Sequence, residues 1–126
     1  MNGEQSKIMD KPHKKLLCWQ KSMELVMLIY KATEKFPREE IYGLTSQLRR
    51  ASVSVPANIS EGAADRTTNE FRNFLSIAIG SLSELNTLLE VARRIGYLEE
   101  SEYAAVISLA DECSALTFGL KKSLRV

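Results

Sequence analysis

A chain of 126 residues with a formal net charge of +1 is long enough for one domain with its own core, and it carries no overall charge excess pointing to nucleic acid. Apolar residues make up 44% and charged residues 26%, a globular balance, and no uninterrupted apolar run approaches the ~18 residues of a membrane span. Two cysteines without motif spacing and a polar N-terminus without an apolar signal core predict a reduced, cytoplasmic protein with no membrane partner.

Residues 1–14 are polar, include Pro12 and read as a flexible N-terminal arm; residues 15–126 read as one four-helix bundle domain. The first helical period runs Leu16, Trp19, Met23, Val26, Tyr30 and Thr33, widened by Leu25 and Ile29. It stops near Phe36, because Pro37 disfavours helical geometry at the residue before it. "PREEIYGL" is a connector broken by Gly43.

The second period, Leu44, Leu48, Ala51, Val55 and Ile59, passes through the segment "RRASVSVPANISEGAADR" and stops near Gly62. "SVSV" alone alternates like a strand, but the wider window fits one helical face. Pro56 then lies inside the helix, leaves the Ser52 carbonyl without its usual donor and predicts a kink. That kink either curves the helix around its neighbours or presents the Ser52 carbonyl to a ligand or subunit.

The third helix opens on the capping box Thr67-Thr68-Asn69-Glu70 and continues as a seam of Phe71, Phe74, Leu75, Ala78, Leu82, Leu85, Leu89 and Ala92. Arg93 and Arg94 suit its C-terminal dipole and Gly96 its C-terminal cap, giving about 28 residues and roughly 42 Å. The fourth starts in the acidic turn "EESEY" and runs through Tyr103, Val106, Ile107, Ala110, Cys113, Thr117, Leu120 and Leu124. With no credible strand and short connectors, the fold class is all-α, an antiparallel up-down-up-down four-helix bundle.

On helix two, Gln47, Arg50, Ser54, Asn58 and Glu61 form a polar stripe beside the apolar one. A solvated face is the plain reading. Helix three offers another, because Gly80 and Ser81 permit close approach and Glu84 should lie level with Arg50. An Arg50–Glu84 pair with Gln47 and Ser81 nearby would make a boundary network that fixes helix register or a subunit contact.

Residues for chemistry are scarce. The sole histidine, His13, lies in the arm, and there is no Glu-x-x-His, no Cys/His cluster and no Gly-rich phosphate loop. The expectation is a protein that is not an enzyme and takes no cofactor, metal or small-molecule substrate. The bundle topology nevertheless sorts charge by end. The arm, the turn between helices two and three and the C-terminus collect nine basic against five acidic residues; the opposite end has five against seven. Lys11, Lys14, Lys15, Arg66, Arg72, Lys121, Lys122 and Arg125 are the candidate nucleic-acid contacts. In a ring of parallel subunits they would add to one basic face, predicting weak, salt-dependent binding of RNA or DNA.

The pieces "YGL..QLRRA", "S.PANI.EG" and "F..FL.IA.GS..EL", within an order running from about Trp19 to near Leu124, closely resemble the four-helix-bundle proteins of the 23S rRNA intervening-sequence family. The resemblance implies a bacterial bundle protein that assembles into a homopentameric barrel, some members being encoded inside large-subunit rRNA genes. Accessory proteins of diversity-generating retroelements look like relatives and imply a reverse transcriptase and nucleic acid as partners; they tend to be strongly basic, which this chain at +1 is not. The family offers no established catalytic site. Its motif positions correspond to Gln47, Arg49, Arg50, Ser54, Asn58, Glu61, Gly62, Ser81 and Glu84, read as a polar network or subunit interface.

Overall fold

Each of the four apolar periods forms a helix in the computed structural model, which describes residues 12–64 and 67–124. The helices are α1 (Leu17–Thr33), α2 (Leu44–Ala63), α3 (Thr68–Ile95) and α4 (Glu100–Ser123), with 3₁₀ turns at Pro12–Lys15 and Arg38–Glu40. Among the described residues there is no strand. The first turn belongs to the fold, since His13 meets the Trp19 ring edge-on at 5.0 Å.

Paired side chains fix which helix ends meet. Lys21 in the first half of α1 reaches Glu112 midway along α4 at 3.7 Å, and Lys35 just past the end of α1 pairs with Glu102 in the first turn of α4. Arg93 at the end of α3 meets Glu100 at the start of α4 at 3.2 Å, and Arg72 at the start of α3 reaches the last carbonyls of α4. The helices enclose one core, led by Leu25, Ile29, Leu48, Val55, Leu82 and Leu89.

The seams of α2, α3 and α4 lie where the periodicity puts them, with Phe71, Tyr103, Ile107 and Leu120 at the core margin. The α1 seam holds in part. Leu25, Val26, Ile29 and Thr33 are buried as the period requires and Cys18, Ser22 and Ala32 join them, while Met23 and Tyr30 turn outward at 37% and 39% exposed. Ser22 disguised this face. It is fully buried, and its hydroxyl donates to the Trp19 carbonyl at 2.8 Å, so a polar residue sits inside without an unmet hydrogen bond.

Helix ends follow local chemistry. The Thr67 hydroxyl accepts from the Glu70 N–H at 3.2 Å and donates to the Glu70 carboxylate at 3.0 Å. A reciprocal capping box occurs at α4, where Glu102 accepts from the Glu99 N–H at 3.0 Å. Gly96 closes α3 with φ of 99°, a left-handed conformation that glycine adopts without a Cβ clash.

Two expectations about small residues change. Gly80 is exposed, and a Cβ there would meet nothing within 4 Å, so it does not bring helices together. Gly62 does: a Cβ would lie 2.8 Å from the Phe74 Cβ and 2.9 Å from the Phe71 ring. Pro56 is buried inside an α2 that continues from Leu44 to Ala63. Ser52 is fully buried too, which withdraws it from any ligand approaching through solvent.

α3 and α4 contain no long uninterrupted apolar run, yet each holds an 18-residue window with at most two charges and a mean hydropathy of 1.3 and 1.2. By length and composition alone they could cross a membrane. Here they contribute a seam to the bundle, and only 28% and 22% of the two windows is buried.

Candidate functional site

Arg49 and Arg50 are neighbours in sequence but lie about 100° apart around α2, so they serve different flanks. Arg50 turns to α3, where a guanidinium N–H donates to Glu84 Oε1 at 2.7 Å. One turn on, the Ser54 and Ser81 hydroxyls are 2.8 Å apart, and Asn58 Nδ2 donates to the Ser54 carbonyl at 2.8 Å and hydroxyl at 3.0 Å. Arg50, Ser54, Asn58, Ser81 and Glu84 therefore make one polar seam along the α2–α3 boundary. Gln47 and Glu61 lie exposed on the same flank. Arg49 is not part of it. Its Nε donates to Thr33 Oγ1 at 2.9 Å, and its guanidinium lies 4.6 Å above the Tyr30 ring, tying α2 to α1.

The two ends of the bundle differ in how their charges are used. At the end holding the α1–α2 and α3–α4 connectors, Glu90 accepts from Arg93 at 2.8 Å and from Arg94 at 3.4 Å, and Arg93 also donates to Glu100. The Arg93 hydrogen bond holds the Glu90 carboxyl below its ordinary value, and Lys35 does the same for Glu102. Glu40 caps α2 by accepting from the Leu44 N–H at 3.2 Å and accepts from the Tyr97 hydroxyl at 3.0 Å, which pushes the phenol pKa up.

At the opposite end, no carboxylate among the described residues pairs with the ammonium groups of Lys14, Lys15, Lys121 or Lys122. Arg72 is engaged differently: it donates to the carbonyls of Lys121 at 2.6 Å and Leu124 at 2.7 Å, closing the C-terminal turn of α4. Lys11, Arg66 and Arg125 lie outside the described residues.

Little here supports covalent chemistry. Both cysteines are buried; desolvation raises the Cys18 thiol pKa and pushes that of Cys113 up to about 12, so neither is a ready thiolate. Among the described residues no three His, Cys, Asp or Glu side chains converge to hold a metal. The Glu40–Tyr97 link spans distant parts of the chain and left no sequence signal. The tip residues Ile41 and Tyr42 did leave one, as apolar side chains in a connector, and both stand exposed.

The profile of the 23S rRNA-intervening sequence protein family matches residues 14–119. The fold is similar to a crystal structure from Bacteroides thetaiotaomicron VPI-5482, described as a protein with unknown function from the S23 ribosomal protein family. The TM-score is 0.77 at 22% identity, covering 85% of this chain and 96% of that one. No curated protein matches the chain.

Proposed function

Because the chain belongs to the 23S rRNA-intervening sequence protein family, we propose that it is a non-enzymatic scaffold. In this reading an antiparallel up-down-up-down bundle assembles with copies of itself, as a homopentamer, and presents one basic face to RNA or DNA. The pairings of Lys21 with Glu112 and Arg93 with Glu100 support the antiparallel order. The low burial of the apolar windows in α3 and α4 supports assembly, because a helix apolar on most sides calls for more partners than one subunit supplies.

The observation that carries the nucleic-acid part is the set of unpaired ammonium groups at Lys14, Lys15, Lys121 and Lys122. Lysines not neutralised within the subunit can release counterions from a phosphate backbone without reading its sequence. The test is a salt titration of RNA binding. Replacing the four lysines by alanine should flatten the dependence of log K on log salt by about 0.7 for each lysine that contacts a single strand. An unchanged slope would remove this end as the binding face. The same lysines favour a second reading, an accessory protein carrying nucleic acid to a reverse transcriptase; co-purification of such an enzyme with the wild type but not the four-lysine variant would select it.

A further inference from the structure

Tyr42 is the most exposed large hydrophobic side chain among the described residues, at 94%, with Ile41 beside it at 52%. The turn that carries them is held by its own backbone: the Ile41 N–H donates to Arg38 O at 3.1 Å and the Gly43 N–H to Glu40 O at 2.9 Å. Glu40 anchors this turn to Leu44 and Tyr97. An aromatic ring is thus kept in water on a fixed support, the form of an interface anchor rather than of a loose loop.

At the same end of the bundle, α1 and α4 leave a groove of about 460 Å³ whose apolar lining includes Leu28, Ala32, Ala105 and Val106. Resting on the assembly reading above, we propose that Tyr42 of one subunit seats in the α1–α4 groove of the next.

Size, charge and height select a second copy as the occupant. The groove lies in the range of about 300–1,000 Å³ that admits a group the size of an aromatic side chain. Arg38 and Glu39 flank the knob, and Lys31 and Glu34 line the groove; among the described residues none of the four is in a salt bridge, so knob and groove each offer both signs of charge to the other. Knob and groove are different patches at the same end of the bundle. Their contact is therefore heterologous, the kind that forms the proposed ring when its rotation closes.

The test combines light scattering with cysteine cross-linking. Tyr42→Ala removes the knob without touching the core, and Ala105→Trp fills the groove. Each should return the assembly to a 14.2 kDa subunit with its helical circular-dichroism signal intact. In a Tyr42→Cys, Ala105→Cys double variant, diamide should produce a ladder of disulfide-linked subunits that neither single cysteine variant gives, the buried Cys18 and Cys113 remaining silent. A wild type that assembles while both single variants keep its mass and the double variant forms no ladder would overturn this contact and leave the assembly reading standing. A wild type of 14.2 kDa would overturn both.

Discussion

The two ends of the bundle hold themselves together by different means. At the connector end, much of the charge is tied up internally: Glu90 serves Arg93 and Arg94, Lys35 serves Glu102, and Glu40 serves both the α2 N-terminus and Tyr97, while Lys31, Glu34, Arg38 and Glu39 are in no salt bridge among the described residues. At the terminal end, packing and backbone capping do that work, through Gly62 against Phe71 and Phe74 and through Arg72 on the α4 carbonyls. Lys14, Lys15, Lys121 and Lys122 there have no carboxylate partner among the described residues, which is the basis of the proposed polyanion contact. The difference shows why net charge alone is a poor guide: the same +1 is distributed over paired charges at one end and lysines without carboxylate partners at the other.

The largest break in this comparison is Gly62→Ala. The added methyl lands on the Phe74 Cβ, which cannot swing aside as a side-chain tip would, so α2 and α3 must separate. We expect a loss of about 1–3 kcal/mol, the cost of overpacking, read as a lower denaturation midpoint. Gly80→Ala is its control; with open space around it, the change should stabilise by up to about 1 kcal/mol through helix propensity.

Next in size is Arg72→Met, which keeps an apolar stem but leaves the Lys121 and Leu124 carbonyls without their charged donor. A cost of about 1.5 kcal/mol is expected, with faster amide hydrogen exchange confined to the last turn of α4. Exchange rising evenly along the chain would mean that Arg72 is not a local cap.

The smallest effect separates the ends by pH. Glu90 and Glu102 titrate below the ordinary carboxylate value of 4.5, so their stabilisation is complete above that pH and is lost as pH falls through their lowered values. Acid should therefore loosen the connector end first, and Glu90→Gln should blunt that part of the acid sensitivity. Both carboxylates keep partial exposure, 35% for the Glu90 side chain and 29% for that of Glu102, so solvent screens their pairs and the change belongs in exchange rates near Arg93 and Tyr103, not in a large shift of global stability.

Much of the fold was legible because α2 and α3 announce their buried face with large aliphatic side chains at helical spacing, Leu75, Leu82, Leu85 and Leu89 above all, and because α4 keeps the same spacing with the smaller Val106, Ala110, Cys113 and Thr117. In α1, Leu25, Val26, Ile29 and Thr33 mark the buried face, but Cys18 and Ser22 share it without an apolar signal, whereas Met23 and Tyr30 look more like core than they are. The Arg50–Glu84 pairing followed from helix direction alone, since level positions on neighbouring helices can be estimated by counting rises. Arg49 could not be separated from Arg50 in that way: its partners, Thr33 and Tyr30, lie on α1, and choosing a flank requires the rotation of α2 within the bundle. Neither Gly62, near the end of α2, nor Gly80, inside α3, carries a sequence mark of its packing; only the neighbour's side chain distinguishes a close approach from open solvent. The Glu40–Tyr97 link was hidden by its separation in sequence.

The most direct measurement is light scattering of the wild-type protein at low and high salt, with and without a single-stranded RNA. The account predicts a mass several times the 14.2 kDa subunit at both salt concentrations, rising with RNA at low salt and returning to the protein-only value at high salt. A 14.2 kDa monomer whose mass is unchanged by RNA at low salt would contradict both the assembly and the basic face.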